Sequence, residues 1–239
     1  MGALAPKGES GAVESPPSSA SSADEDDDDD DEDSVDGLKR RAQCLAELDT
    51  KAGMETDQQI LDTMVDGCSD SSFSREEIKK IVEPILHEAR AKRRKEYETW
   101  PAETDCDRLD KAFKELDASG IKPFHHITNN PSSAEVEVYD AMSKPANAGY
   151  RGCVWYHFQQ TQAAVELGTL RLCYAPCNIA PETKAEEDKL FGAIAQEIIA
   201  ALAKYGLKCD WSGNSEEQIP VALNWQRRFE SNSTAASKR

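Results

Sequence analysis

The order of apolar and polar residues along the chain predicts one buried strand that leads directly into a helix. Apolar and aromatic residues occupy both alternating faces of this strand, with Cys153, Trp155 and His157 on one face and Val154, Tyr156 and Phe158 on the other. Because neither face is polar, we expect the strand to lie inside a sheet that is covered on both sides. The next residues, 159–167, have helical spacing, and the free N–H groups of a first helical turn commonly bind anions or polar groups. The pattern therefore predicts a polar pocket at the turn from strand to helix.

The segment before residue 100 has the periodicity of helices. Apolar residues recur every three or four positions across residues 37–99, and the repeat is interrupted near Gly53. Thr56 and Ser74 each precede a Gln or Glu by three residues, which is the spacing of a capping box at the start of a helix. The pattern predicts a helical N-terminal region over residues 37–99.

Strands and helices alternate over residues 100–230, which are predicted to form an α/β (or α+β) domain. The predicted strands cover residues 121–127, 149–157, 169–174, 207–211 and 218–225, and the predicted helices cover residues 104–119, 132–142, 159–167 and 183–205. These signals indicate a mixed sheet of about five strands, closed by an antiparallel hairpin at its C-terminal edge. Pro123 places its own strand at an edge of the sheet. The connector of residues 159–168 favours a parallel arrangement of the two strands that it joins.

Charge is concentrated at the N-terminus. The whole chain has a formal net charge of −17, and residues 1–36 hold 13 acidic residues, ten of them consecutive from Asp24 to Asp33, against Lys7 alone. A segment with so little apolar content is expected to be a disordered acidic tail, as is the polar segment of residues 231–239. The acidic tail has two interpretations: a solvating segment, or an arm that contacts a basic protein or a cation.

The remaining composition excludes several classes of protein. The folded part is mildly acidic and has no surface of clustered Lys and Arg that could bind the phosphates of a nucleic acid, so no nucleic-acid partner is predicted. No signal-peptide core or membrane span is expected, and the seven scattered cysteines fit a reducing compartment. These features predict a soluble, cytoplasmic protein. A weak basic cluster, Lys92, Arg93, Arg94 and Lys95, leaves nuclear import open, but the preferred interpretation is a solvated helix end favoured by the helix dipole.

Several spaced motifs resemble one known family. They are Trp100-Pro101 with Asp105 to Leu109, Gly149 to Gly152 leading into Tyr156 to Thr161, Leu170 to Tyr174, Trp211 to Gly213, and Trp225 to Arg228. In this order they resemble the proteins grouped as domain of unknown function 6891, over residues 53–229. The family has no established activity, so the resemblance implies the position of a site and no chemistry. The chain differs from the family pattern at two places. Gln160 stands where the family pattern has an acid, and residues 126–131 lack a cysteine cluster that many relatives carry.

The candidate site residues are centred on the predicted turn. His157 is a candidate general acid or base, or a residue that positions a substrate, and the alternative is a core histidine. Gln159, Gln160 and Thr161 can donate hydrogen bonds to a ligand or can cap the helix. Tyr150 precedes the strand in the same motif. Three residues near the C-terminal hairpin complete the ligand-binding candidates: Trp211, Trp225 and Arg228.

The sequence contains no recognisable nucleophile motif, phosphate loop or dinucleotide fingerprint. Cys173 and Cys177 with His125 and His126 have a loose spacing for zinc, so neither a metal nor a cofactor is predicted. The favoured function is a non-catalytic module that binds a small molecule or a protein at the His157 turn. Two alternatives are a hydrolase-type enzyme that uses His157 as acid or base on a phosphorylated or nucleotide-like substrate, and a regulatory protein that acts through its acidic arm.

Overall fold

A computed structural model describes residues 34–69, 72–127, 131–177 and 181–229 of the chain. The two predicted tails lie outside these ranges, except that residues 34–36 begin the first helix. None of the helices within these ranges is both long and apolar enough to cross a lipid bilayer.

The first part of the described chain consists of three helices. They are α1 (Val35–Ala52), α2 (Asp57–Gly67) and α3 (Arg75–Tyr97). The predicted interruption after α1 is confirmed, because Gly53 adopts a left-handed φ of 65° that ends the helix. The predicted capping boxes at Thr56 and Ser74 are both formed. Leu38, Ile60 and Ile78 bring one apolar side of each helix into a shared core.

The second part alternates helices and strands. Its elements are α4 (Asp105–Ala118), β1 (Ile121–Ile127), α5 (Pro131–Met142), β2 (Gly152–His157), α6 (Phe158–Leu167), β3 (Thr169–Pro176), α7 (Lys184–Lys204), β4 (Lys208–Cys209) and β5 (Ile219–Ala222), with a short 3-10 turn at Pro145–Asn147. The five strands form one sheet in the order β1-β2-β3-β5-β4. Only β1 and β2 are parallel, and β5 pairs antiparallel with both β3 and β4. The predicted α/β class, the mixed sheet and the antiparallel edge hairpin are therefore confirmed.

The predicted parallel arrangement of β2 and β3 is wrong, because these strands are antiparallel. The length of the connector explains why. The six residues of β2 span about 20 Å, and a parallel return would have to cover that distance before β3 could begin. The ten residues of α6 span only about 15 Å as a helix, and β3 starts directly after Gly168. The chain therefore folds back at the same end of the sheet.

The sheet is covered differently on its two faces. All six residues of β2 are buried, as predicted for a strand covered on both sides. Val154 and Tyr156 belong to the main core, to which α4 and α7 contribute. Cys153 and Trp155 lie on the other face in a smaller cluster with Val138 of α5. On this second face α5 packs against β2, and the candidate site lies beside the neighbouring strand β3.

The C-terminal segment joins the first three helices to the sheet. The buried Trp225 indole N–H donates to the carbonyl of Ala52, 3.0 Å away. The Arg90 guanidinium lies 3.6 Å from the centre of the Phe229 ring, and the Arg93 guanidinium lies 4.4 Å from the centre of the Trp100 ring. The indole hydrogen bond holds Trp225 against α1, and the cation–π contact with Arg90 holds Phe229 against α3.

Candidate ligand-binding cleft

A cleft opens beside the second half of β3. Strand β5 pairs with β3 only from Leu172↔Ile219 to Thr169↔Ala222, so β3 residues 173–176 pair with β2 alone. The space beside these residues is bounded by residues 215–218 and by the first two turns of α7. We call it the β3–α7 cleft, and its volume is about 410 Å³. That volume falls in the range of small-molecule and peptide side-chain sites.

The charged residues around the cleft are mostly acidic. Four glutamates line it: Glu135, Glu187, Glu216 and Glu217. Among the described residues, one basic residue lines the cleft, Lys184, and it lies 3.2–3.3 Å from carboxylate oxygens of Glu187, Asp188 and Glu216. A hydrogen bond with Asp188, reinforced by the other two carboxylates, raises the pKa of Lys184 above its ordinary value. The lysine charge is thus already matched by carboxylates, and the cleft as a whole is negative.

The walls of the cleft are aromatic. Trp155, Tyr174 and Phe191 all line it, and the rings of Tyr174 and Phe191 meet edge to face at 6.0 Å. The Tyr174 hydroxyl donates to the carbonyl of Ser215, 3.4 Å away. The predicted ligand residue Trp211 lies behind this wall, 6.3 Å from the Tyr174 ring, and its indole N–H donates to the carbonyl of Asn214. Trp211 therefore supports the wall of the cleft.

Cys173 is held at the cleft by two amide groups. The side-chain amides of Gln160 and Gln218 donate to its sulfur at 3.3 and 3.1 Å. Burial raises the pKa of the Cys173 thiol and the nearby Glu135 carboxylate raises it further, whereas the two amide donors lower it. The net result is a raised pKa, so Cys173 is a neutral thiol at neutral pH.

The residues of the predicted turn lie behind the cleft and do not line it. His157, the candidate acid or base of the predicted polar pocket, is only 5% exposed and lies in the protein interior. Gln160 uses its carbonyl oxygen to accept the His157 backbone N–H at 2.8 Å, and the buried Thr161 hydroxyl donates to the His157 carbonyl at 3.3 Å. Gln159 is exposed. Gln160 is the link between this turn and the cleft, through its second bond to Cys173.

Three further candidates bind other parts of the chain. The Tyr150 hydroxyl donates to Asp117 at 2.7 Å and accepts from Lys122 at 3.2 Å. Trp225 anchors the C-terminal segment on Ala52. The Arg228 guanidinium donates to the Pro101 carbonyl at 2.6 Å and to an Asp107 oxygen at 3.3 Å. The structure does not bring these three residues to the His157 turn or to the cleft.

A polar cluster near the carboxyl end of β1 was not predicted from the sequence. His125 Nδ1 lies 3.0 Å from the hydroxyl of the buried Tyr156, and Arg227 donates to both Asp110 oxygens at 2.7 and 2.9 Å. The neighbouring His126 has a left-handed φ of 47°, which is unusual for a residue other than glycine. The only sequence signal was the pair of histidines at the end of a strand. His125 thus shares a hydrogen bond with the Tyr156 hydroxyl, and burial raises the pKa of that phenol well above its ordinary value.

His126 and His157 are both held neutral by their surroundings. Burial lowers the pKa of His126 to about 4, with Arg227 adding to the effect, and burial also lowers the pKa of His157. The Nδ1 atom of His126 lies 2.9 Å from the Thr161 hydroxyl. Within the described ranges, no group of three or more His, Cys, Asp or Glu side chains is arranged to hold a metal ion.

Comparison with known proteins places the chain in a family. No curated protein and no solved structure matched the sequence. A family model, described as a domain of unknown function (DUF6891), matches residues 36–229, which run from the second residue of α1 through β5 and include the whole β3–α7 cleft. The chain therefore belongs to the DUF6891 family.

Proposed function

We propose that this protein is a binding module that holds a cationic group in the β3–α7 cleft. The observation that carries the proposal is the combination of four glutamates with three aromatic side chains in one cleft of about 410 Å³. Ammonium and guanidinium groups are stabilised both by carboxylates and by the faces of aromatic rings. The proposal keeps the class of function that the sequence favours, a non-catalytic binding module. The proposed pocket is the cleft and no longer the His157 turn. Gln160 connects the two, because it bonds both the His157 N–H and the Cys173 sulfur.

The charge arrangement favours a cation over an anion. The ammonium group of Lys184 in the cleft is shared among three carboxylates, so an anion would have to displace them. Glu135 and Glu187 reach the cleft from two different helices, α5 and α7, and can approach a bound cation from separate directions. A cation would reduce the repulsion among the glutamates, whereas an anion would increase it.

The test compares ligands of different charge on matched variants. Isothermal titration calorimetry at low salt would measure binding of spermidine, free glutamate and glycerol to the full chain. We expect spermidine alone to bind, with an affinity that falls as salt is added. The double variant Glu135→Gln with Glu187→Gln is expected to weaken spermidine binding about tenfold, since each exposed charge pair contributes about 0.2–1 kcal/mol.

The control is the double variant Glu137→Gln with Glu166→Gln. It removes the same two charges from exposed glutamates of α5 and α6 that do not line the cleft. If the control weakened spermidine binding as much as the cleft variant, the ligand would be responding to net charge and the proposed site would be wrong. The absence of any spermidine binding would reject the proposed function itself.

A further inference from the structure

We infer that the cationic ligand is a basic segment of a partner protein, bound as an extended strand along the free edge of β3 in the β3–α7 cleft. This inference rests on the proposed function and names its ligand class. It derives from the hydrogen-bonding direction of the residues in β3.

The register of the sheet fixes the direction in which each backbone group of β3 points. The N–H and C=O groups of one residue in a strand point to the same side, and those of the next residue point to the other side. The Cys177 N–H donates to the Arg151 carbonyl, so odd-numbered residues of β3 face β2. The Leu223 N–H donates to the Gly168 carbonyl, so even-numbered residues face β5. Tyr174 is even-numbered, and its N–H and C=O therefore point to the β5 side.

Strand β5 does not extend far enough to pair with Tyr174. Its ladder with β3 ends at the pair Leu172↔Ile219, and Glu217 would be the next partner. The Glu217 N–H donates instead to the Asn214 carbonyl at 3.1 Å, and the Glu217 carboxylate accepts from the Ser212 hydroxyl at 2.8 Å. These bonds hold residues 212–217 in their own turn, away from the edge of β3.

The open edge of β3 therefore faces the cleft. Among the residues that the structure describes, no backbone group pairs with the N–H or C=O of Tyr174. Tyr174 is only 6% exposed, and a backbone donor and acceptor near the protein interior are costly to leave unpaired. An added strand satisfies such groups directly, which is the basis of peptide recognition by strand addition. Pro176 presents one further carbonyl on the same side but lacks an N–H.

The side chains around the edge select the chemistry of the added strand. In an extended segment, every second side chain points to the same face. Glu135 and Trp155 lie on the α5 side of the edge, and Glu187 and Phe191 lie on the α7 side. A lysine or arginine on either face of the segment would thus meet a carboxylate and an aromatic ring. The expected partner is a short extended segment rich in lysine or arginine.

The experiment uses peptides that differ only in the position of three methyl groups. The parent is an acetylated and amidated seven-residue peptide in which lysine alternates with threonine. One derivative carries backbone N-methyl groups on its three central residues, so that it loses the central N–H groups of both sides. The other derivative carries its three methyl groups on the Nζ atoms of three lysines, so that it keeps every backbone N–H, and both derivatives keep the full charge. Calorimetry with the full chain would measure the three affinities, and spermidine would be titrated in parallel.

We expect the parent to bind and the backbone-methylated derivative to bind about tenfold more weakly, because it has no central N–H group to donate to the Tyr174 carbonyl. The derivative methylated on its lysine side chains is expected to bind like the parent. Equal affinities of the two derivatives, whether weakened or unchanged, would overturn pairing with β3. Binding of spermidine without binding of the parent peptide would overturn the inference while leaving the proposed function intact. If neither spermidine nor the parent bound, both proposals would fail.

Discussion

Asp49 is a buried carboxyl group that should make the stability of the protein depend on pH near neutrality. It lies in α1 and is 2% exposed, and its Oδ2 atom has no hydrogen-bond partner among the described residues. Burial raises its pKa from 3.8 to about 7, with a further increase from Glu55 and an opposing effect from Arg90. The folded protein therefore keeps Asp49 protonated at pH values at which the unfolded chain has lost that proton.

The sign and size of the effect follow from linkage. Between about pH 4 and pH 7 the folded state binds more protons at Asp49 than the unfolded state does, so the free energy of unfolding falls as pH rises. The rise of the Asp49 pKa from 3.8 to about 7 corresponds to about 4 kcal/mol of stability, all of it lost above pH 7. The change Asp49→Asn keeps the shape of the side chain and removes the ionisation. The variant should gain stability relative to the parent protein as pH rises, by up to about 4 kcal/mol at pH 8.

Urea unfolding followed by circular dichroism between pH 4.5 and 8.5 would measure this difference. Asp62→Asn is the matched control, because it makes the same substitution at an exposed aspartate of α2. The stability difference between Asp49→Asn and the parent should change with pH and reach a plateau above pH 7, whereas the Asp62→Asn difference should stay flat. A difference for Asp49→Asn that is constant across this pH range would refute the reasoning.

Three other residues give independent predictions. Trp225→Phe should lower the free energy of unfolding by about 1–3 kcal/mol because the Ala52 carbonyl loses its buried donor, and an unchanged urea midpoint would contradict this. Burial lowers the pKa of His126 to about 4, so the unfolded chain binds a proton at this residue below pH 6.5 more readily than the folded protein does. The free energy of unfolding should therefore fall as pH falls from 6.5 toward 4, and an NMR titration midpoint near 6.5 for His126 would contradict this. Iodoacetamide at pH 8 should label the exposed Cys44 well before Cys173, whose pKa is raised, and equal labelling rates measured by peptide mass spectrometry would show that burial does not protect Cys173.

Local features of the fold could be predicted from the sequence because their causes lie within a few residues. The capping boxes at Thr56 and Ser74 need only a side chain and a residue three positions later. Pro123 predicted an edge strand, and β1 is indeed at the edge of the sheet. Both faces of β2 are apolar, which predicted a strand in the interior of the sheet, and all six of its residues are buried.

The candidate site could not be predicted because its parts come from distant segments. Glu135, Trp155, Tyr174, Phe191 and Glu217 meet only through the sheet order and the packing of α5 and α7. The direction of β3 also had to be known, and the sequence favoured the wrong one. The His157 turn was conspicuous in the sequence, yet its polar groups are used to begin α6 and to hold Cys173.

The histidines of β1 show a similar limit. His125 and His126 were read as part of an edge strand, whereas the chain bulges between Phe124 and Ile127 and turns His126 toward Thr161. A bulge depends on the pairing of two strands and leaves no fixed sequence signature. Arg227 joins this cluster from the far end of the chain through Asp110, and no local pattern connects those two residues.

The most direct test of the account is to locate ligand contacts on the protein by NMR. The lysine–threonine peptide would be titrated into isotope-labelled full chain, and backbone amide shifts would be followed residue by residue. We predict the largest changes at residues 173–175, 184–191 and 215–218, which border the β3–α7 cleft. Changes centred on His125 and His126, or on residues 159–167, with the cleft unaffected, would contradict the account.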